Sequence, residues 1–274
     1  MPELPEVETV RRGLEAVLVG HSLEHIEILD GRLTAPADPA AVAHELHGAE
    51  VRAIGRRGKY LAIGLDDGRT LISHLRMTGW FHHVPEPDDR RHTRARFRLD
   101  DGSWLIYADQ RRFGTMRLIE PGMLPAFWQG RVGPEPLSGD WSAADLRRGL
   151  RDRRAAVKAL LLDQKLVAGV GNIYADEALW EARIHPLAPG GTIGPARAAR
   201  LHSAVIEVLE RGIEAQGASI DTYRGVDGAT GSMQERFNVF DRTGEPCPRC
   251  GAPISKIRVA QRGTHFCRTC TPRP

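Results

Sequence analysis

The sequence predicts an α+β chain of more than one domain: an antiparallel β domain behind a leading helix, then a helical domain, then a small cysteine-bearing tail. Three observations carry this reading. The hydrophobic period switches from helical to short β runs near His21 and returns to helical after a stretch punctuated by Pro121, Pro125, Pro134 and Pro136. Two Asp-Asp-Gly turns, at 66–68 and 100–102, each separate a pair of β-rich runs. All four cysteines fall between Cys247 and Cys270. A length of 274 residues suits about two ordinary domains.

The first helix is expected to start near Pro5 and end near Gly20. Val7, Val10, Leu14 and Leu18 recur at helical spacing, with Glu6, Glu8, Arg11, Arg12 and Glu15 opposite. Leu23, Ile26 and Ile28 suggest a strand. Tyr60–Ile63 and Thr70–Ile72 flank the first Asp-Asp-Gly turn, Ala95–Leu99 and Trp104–Tyr107 the second, and Thr115–Ile119 forms a further β run. Such spacing reads as an antiparallel sandwich or barrel. Beyond the prolines, Ser142 with Asp145 three residues later marks a helix start. Ala155–Leu162, Ile173–Glu181 and Ala196–Ala215 read as helices. Gln216–Ser232 is polar and glycine-rich, with neither period, and is long for a simple connection.

Composition narrows the class. Hydrophobic residues make up 41% and charged residues 27%, ordinary values for a folded soluble protein and not for a disordered one. No run approaches the ~18 apolar residues of a membrane span, and the N-terminus lacks a signal-peptide core. A cytoplasmic protein with access to the nucleoid is the expectation. The net charge of +3 hides a gradient. The first fifty residues are acidic. Basic residues cluster at Arg90, Arg91, Arg94, Arg96 and Arg98, at Arg147–Lys158, and again after Arg236. Any one cluster can be solvated surface; several together suit a protein that touches a polyanion.

The cysteine spacing is Cys247-x2-Cys250-x16-Cys267-x2-Cys270. Each short gap aims two sulfurs at one ion, and the intervening residues allow a hairpin that brings the pairs together. A reducing compartment disfavours disulfides. No thioredoxin-like βαβ pattern supports a redox dithiol. Four thiolates leave no open position for water, so one structural Zn2+ per chain is expected, with no organic cofactor.

Gly169-Val170-Gly171 lacks the third glycine of a dinucleotide loop, since Tyr174 occupies that position. A turn between helices, able to offer backbone N–H groups to a phosphate, fits better. His44-Glu45-Leu46-His47 is one residue short of a zinc-protease motif and reads as surface helix. There is no Gly-x-Ser-x-Gly elbow. At the N-terminus, trimming of Met1 would leave Pro2 with a secondary amine. An α-amino group titrates near ~8, so a useful fraction is neutral at physiological pH and can attack an aldehyde-like carbon. Glu3 and Glu6 stand beside it as possible proton carriers. On the first six residues alone, an ordinary processed terminus ahead of an acidic helix start is the preferred explanation.

Taken in order, the motifs resemble the formamidopyrimidine-DNA glycosylase family. Met1–Thr9 is similar to its N-terminal signature. So are Gly58–Leu61, His74–Gly79, Arg111–Gly114, Gly169–Glu177 and Gln261–Cys267. The matches run from Pro2 to Cys270. The resemblance implies a leading helix and antiparallel β-sandwich over 1–133, a helical domain with a helix–two-turn–helix element over 134–235, and a zinc-finger hairpin over 236–274. It implies a monomer that binds damaged double-stranded DNA and no membrane. The implied activity is base excision repair: release of oxidised purines such as 8-oxoguanine and formamidopyrimidines, then abasic-strand cleavage by β,δ-elimination through a Schiff base on Pro2.

The same resemblance implies the residue roles. Pro2 is the nucleophile and Glu3 the proton carrier for base departure and ring opening. Lys59 serves the β-elimination step and Arg262, placed at the hairpin tip before Gly263, the δ-elimination step. Met77, Arg111 and Phe113 match the trio that fills the gap left by a flipped base, although Gln110 stands where the pattern has proline. His92, Arg154, Lys158 and Asn172 are phosphate-contact candidates. Glu6, Ser219, Thr222 and Tyr223 are lesion-recognition candidates. Two alternatives remain. One is an endonuclease VIII-type glycosylase for oxidised pyrimidines, against which Leu4 and Arg111-Arg112-Phe113 speak. The other is a non-enzymatic DNA-binding protein using the zinc hairpin.

Overall fold

Helix α1 spans Leu4–Leu18, with Pro5 in the first turn, where a missing N–H costs nothing. Its apolar stripe, Val7, Val10, Leu14 and Leu18, is buried, each such side chain stabilising the fold by about 1.5–3 kcal/mol. On its other face Glu8 gathers Arg11, Arg12 and Arg56, the last with Nε 3.0 Å from the carboxylate. Burial pushes the Glu8 carboxyl up. Hydrogen bonds from Arg56 and the charge of Arg11 outweigh it and hold the group below the usual carboxylate range.

The computed structural model describes residues 1–87, 90–220 and 223–273, and the chain forms two units. The first is Met1–Gln129 with Ala215–Ser232; the second is Gly130–Glu214 with Met233–Pro274.

In the first unit β1 (Leu23–Ile28) precedes the short helix α2 (Pro39–Leu46). The strands β2 (Val51–Arg57), β3 (Tyr60–Leu65), β4 (Thr70–His74), β5 (Gly79–Val84), β6 (Thr93–Leu99), β7 (Trp104–Asp109) and β8 (Thr115–Ile119) follow. They form two four-stranded sheets, β1-β6-β7-β5 and β2-β3-β4-β8, with every pairing antiparallel. One core joins Ile54, Leu61 and Leu71 of one sheet to Phe81, Phe97 and Tyr107 of the other. That is a sandwich, which resolves the sandwich-or-barrel alternative. Both Asp-Asp-Gly turns are where the sequence put them, with Gly68 and Gly102 left-handed. The proline-punctuated stretch holds one further short helix, α3 (Leu124–Trp128).

The second unit is built on α4 (Ala143–Leu150), α5 (Val157–Leu161), α6 (Asn172–Glu181) and α7 (Pro195–Glu214). Ser142 caps α4 reciprocally with Asp145, as the sequence indicated. The hairpin of β9 (Ser255–Val259) and β10 (Arg262–Phe266) closes this unit. Among the described residues, no helix is long and apolar enough to cross a membrane.

One segment packs elsewhere than the sequence expectation put it. Ala215–Ser232, assigned by sequence to the helical domain, packs in the first unit, where Tyr223 and Val226 enter the sandwich core. The segment from Met233 onward packs in the same compact unit as the helices. Trp180 of α6 shares an apolar cluster with Val239, Cys247, Ile254 and Cys267.

Candidate active site

Pro2 is buried at the foot of α1, behind an exposed Met1. Glu3, 2% exposed, is the N-cap residue of the helix. Its backbone N–H donates to Glu6 Oε2 over 2.8 Å, and Glu6 Oε1 accepts the Ala218 N–H over 2.8 Å. Tyr223 Oη lies 3.2 Å from the carbonyls of both Glu6 and Gln216. Burial, reinforced by the Glu6 charge, pushes the phenol pKa up, so it stays protonated. The helix start and the 215–232 segment are therefore stitched together through Glu6. Gly217 permits it: its φ is +80°, and an added Cβ would lie 2.8 Å from Glu6 Cγ.

Lys59 is 5% exposed and lies with Gly58 in the two-residue turn between β2 and β3. On the neighbouring strand, His74 packs edge-on against Tyr60, with ring centroids 4.5 Å apart. Burial, then the charges of Arg76 and Lys59, lower the His74 pKa to about 3. The neutral ring accepts the Arg76 N–H at Nδ1 over 2.9 Å, which leaves its proton on Nε2.

Two loops leave the sandwich beside this strand. One carries Arg76, at φ 54°, and a half-buried Met77. The other carries Arg111, Arg112 and Phe113. Arg112, at φ 59°, lies along the surface and anchors on the buried Asp30, 2.5 Å from Nε to Oδ2. That hydrogen bond holds the Asp30 carboxyl below the usual range. Arg111 and Phe113 point outward. Phe113 is 53% exposed, and the Arg111 guanidinium lies 4.9 Å from its ring centre. Adjacent arginines thus divide the work of anchoring and presenting. His92 sits half-exposed at φ 71°, its carbonyl accepting the Asp109 N–H.

Of the remaining candidates in this unit, Ser219 is turned inward. Its hydroxyl donates to Tyr223 O and accepts from Gly231 N. The hydroxyl of Tyr223 and the carboxylate of Glu6 also have partners within the protein, so all three appear in the structure as builders of the segment. Thr222 lies outside the described residues.

In the second unit Arg154 is exposed, whereas Lys158 corrects the sequence reading. It has no exposed surface. Its ammonium lies 2.6 Å from Asp176 Oδ1 and donates to Gly263 O and Thr264 Oγ1. Fully enclosed beside its counterion, it presents no donor at the surface for a phosphate. Asn172, the first residue of α6, donates from Nδ2 to the same Gly263 carbonyl over 3.1 Å. The hairpin tip also differs from expectation. Ala260 and Gln261, at φ 46° and 59°, make the turn, and Arg262 is the exposed first residue of β10. Two left-handed residues match the twist of a two-residue hairpin, so Gly263 is free to pair within the strand opposite Arg258.

The four cysteine sulfurs lie within 4.8 Å of one another. A tetrahedral Zn–S4 site with ~2.3 Å bonds needs sulfurs about 3.8 Å apart, and Cys247 and Cys270 are 3.8 Å apart, Cys250 and Cys267 3.4 Å. The donor set fits one metal ion. Burial pushes the Cys247 thiol up, but hydrogen bonds from Trp180 Nε1 and the N–H groups of Arg249 and Cys250 outweigh it and bring it to about 6. Burial and the neighbouring sulfurs push Cys270 up to about 12. Without a cation, four crowded sulfurs resist becoming four thiolates; a metal reverses that balance.

Sequence reasoning missed the buried polar residues that hold these parts. Asp176 and Glu177 are 1% and 0% exposed on the buried helix α6. Glu177 accepts the backbone N–H groups of Asn238, Val239 and Phe240, and Asp176 that of His265. The available signal was two adjacent acids inside an otherwise apolar helix.

Family models match three segments: the formamidopyrimidine-DNA glycosylase N-terminal domain at residues 1–116, the corresponding H2TH domain at 132–224, and a zinc finger found in FPG and IleRS at 244–273. The formamidopyrimidine-DNA glycosylase of Symbiobacterium thermophilum is 49% identical, over 100% of this chain and 90% of the relative. The fold matches a Lactococcus lactis Fpg in complex with abasic-site DNA, with a TM-score of 0.94 and 42% identity, covering 99% of this chain and 100% of the other. It matches MutM in complex with DNA containing carbocyclic 8-oxo-G, with a TM-score of 0.93 and 41% identity at the same coverage. With the sandwich, the helical unit and the four-cysteine hairpin matched in chain order, the protein is a member of the formamidopyrimidine-DNA glycosylase family.

Proposed function

We propose that the protein is a bifunctional base excision repair enzyme of the cytoplasm and nucleoid. It removes oxidised purines from duplex DNA and then cleaves the abasic strand. The observation that carries this reading is the N-terminus: Pro2 directly follows Met1 and is buried beside Glu3, itself 2% exposed. Full-length similarity to glycosylases solved with 8-oxo-G and abasic-site DNA supplies the substrate class.

In this reading Met1 is removed and the neutral Pro2 nitrogen attacks C1′ of the damaged nucleotide. The bond from C1′ to the base breaks, and the base leaves with a proton. Glu3 moves protons to the departing base and to the ring oxygen, so the sugar opens to an iminium. The iminium acidifies C2′. Loss of that proton expels the 3′-phosphate, and a second elimination expels the 5′-phosphate. Lys59, buried in the β2–β3 turn, serves the β-elimination step. Arg262 clamps a strand phosphate: a permanently charged planar fork suits positioning better than proton donation. A stacked base must first be flipped out at a cost of a few kcal/mol. Met77 is assigned as the wedge, Arg111 as the partner of the orphaned base and Phe113 as the stacking ring. His92, Arg154 and Asn172 are assigned to the DNA backbone. The four cysteines hold one zinc ion, which braces the hairpin bearing Arg262.

Excision assays on 8-oxoguanine and thymine-glycol duplexes test the substrate class. Faster release of 8-oxoguanine is expected; preference for thymine glycol would favour the pyrimidine-specific alternative.

A further inference from the structure

Asp109, the last residue of β7, is 1% exposed and faces two loops at once. Its Oδ1 accepts the Thr78 hydroxyl, next to Met77, and the Arg111 N–H over 3.1 Å. Its Oδ2 accepts the Gly114 N–H, next to Phe113, over 2.8 Å. The Arg111 N–H also reaches Thr78 Oγ1 over 3.0 Å. The backbone of Asp109 is held as well: its N–H donates to His92 O, and Arg94 Nε donates to its carbonyl O, both over 2.9 Å. Below it the Tyr107 hydroxyl fills the space between Gly79 and Gly114, and a Cβ on either glycine would collide with that oxygen.

We propose that Asp109 is a positioning residue that bolts the Met77 loop to the Arg111–Phe113 loop, so that wedge, guanidinium and ring meet the duplex as one rigid element. This rests on the assignment of those three residues as the gap-filling trio. One carboxylate satisfies donors from both loops, so neither loop moves without breaking a buried hydrogen bond of the other. Rigid presentation lowers the ordering cost at the moment of base eviction. Cleavage at a preformed abasic site, where no base needs evicting, depends on the bolt far less.

The test compares single-turnover release of 8-oxoguanine from duplex DNA with cleavage of a preformed abasic site. The variants are Asp109→Asn, Thr78→Val, Thr78→Ser, Met77→Ala and Arg111→Ala. Asp109→Asn turns a donor towards the loop N–H groups, and Thr78→Val deletes the shared hydroxyl. For both, the loss in base release exceeds the loss in abasic-site cleavage by about tenfold. Thr78→Ser keeps the release that Thr78→Val loses, and the Asp109→Asn/Thr78→Val double variant is no slower than Asp109→Asn alone. Parallel loss of both activities would mean a purely structural role and overturn the proposal. So would wild-type release by Asp109→Asn while Met77→Ala and Arg111→Ala are slow. If those two alanine variants release the base normally, it is the gap-filling assignment beneath the proposal that fails.

Discussion

The Lys158 ammonium lies 2.6 Å from Asp176 Oδ1, and neither side chain has exposed surface. The pair ties α5 to α6, and through Gly263 O and Thr264 Oγ1 it ties both to β10, directly after Arg262. A sequence-placed phosphate ligand is thus a structural bolt behind the hairpin.

Removing one member of this pair leaves a buried charge without its counterion. Lys158→Met is expected to destabilise the second unit by about 3–5 kcal/mol. The Lys158→Met/Asp176→Asn double variant should be less damaged than the two single changes added together. Urea denaturation of the four proteins measures this. Additive losses would show that the two groups do not interact.

His74 makes stability depend on pH. Its folded pKa of about 3 lies below the ordinary 6.5. Between those values the unfolded chain binds a proton that the folded chain refuses, so stability is full above about pH 6.5 and declines as the pH falls towards 3. His74→Asn keeps an acceptor for the Arg76 N–H and removes the titration. Its stability should change less across that window than the wild type's. Equal slopes would place the titration elsewhere.

Glu3→Gln removes a proton carrier without changing shape. General acid–base catalysis contributes about 10²–10⁴-fold, so release of 8-oxoguanine should fall by at least about 10²-fold. Attack by Pro2 on a preformed abasic site, which needs no base departure, should persist. Equal loss on both substrates would place the main role of Glu3 in opening the sugar ring, a step both substrates share, and contradict this expectation.

Metal analysis should find about one zinc per chain, since four clustered thiolates fill one tetrahedral shell. Cys250→Ser, or a strong chelator, should release the metal and abolish DNA binding while the sandwich unit stays folded. Unchanged DNA binding by metal-free protein would separate the hairpin from DNA recognition.

Local signals gave the sequence reading its reach. The α1 stripe, the Ser142–Asp145 cap, the Asp-Asp-Gly turns and the cysteine spacing each act within a few residues. Strands β2 and β5 escaped notice because their arginines, histidines and glycines interrupt the alternation; pairing with β3 and β7 defines them. The docking of Ala215–Ser232 was equally hidden, since Glu6 meets Ala218 across more than two hundred residues. The site followed the same pattern. Residues carried by short motifs could be named from the chain. Their supports Asp30, Asp109 and Asp176 are buried polar groups that meet Arg112, Thr78 and Lys158 only through the fold.

The most direct test of the central claim is borohydride trapping on lesion-bearing duplex, comparing protein whose mass shows a free Pro2 with the same protein made under methionine-aminopeptidase inhibition, so that Met1 caps the nitrogen. The account predicts a covalent protein–DNA adduct from the first and none from the second. An equal yield of adduct from the Met1-capped protein would contradict it.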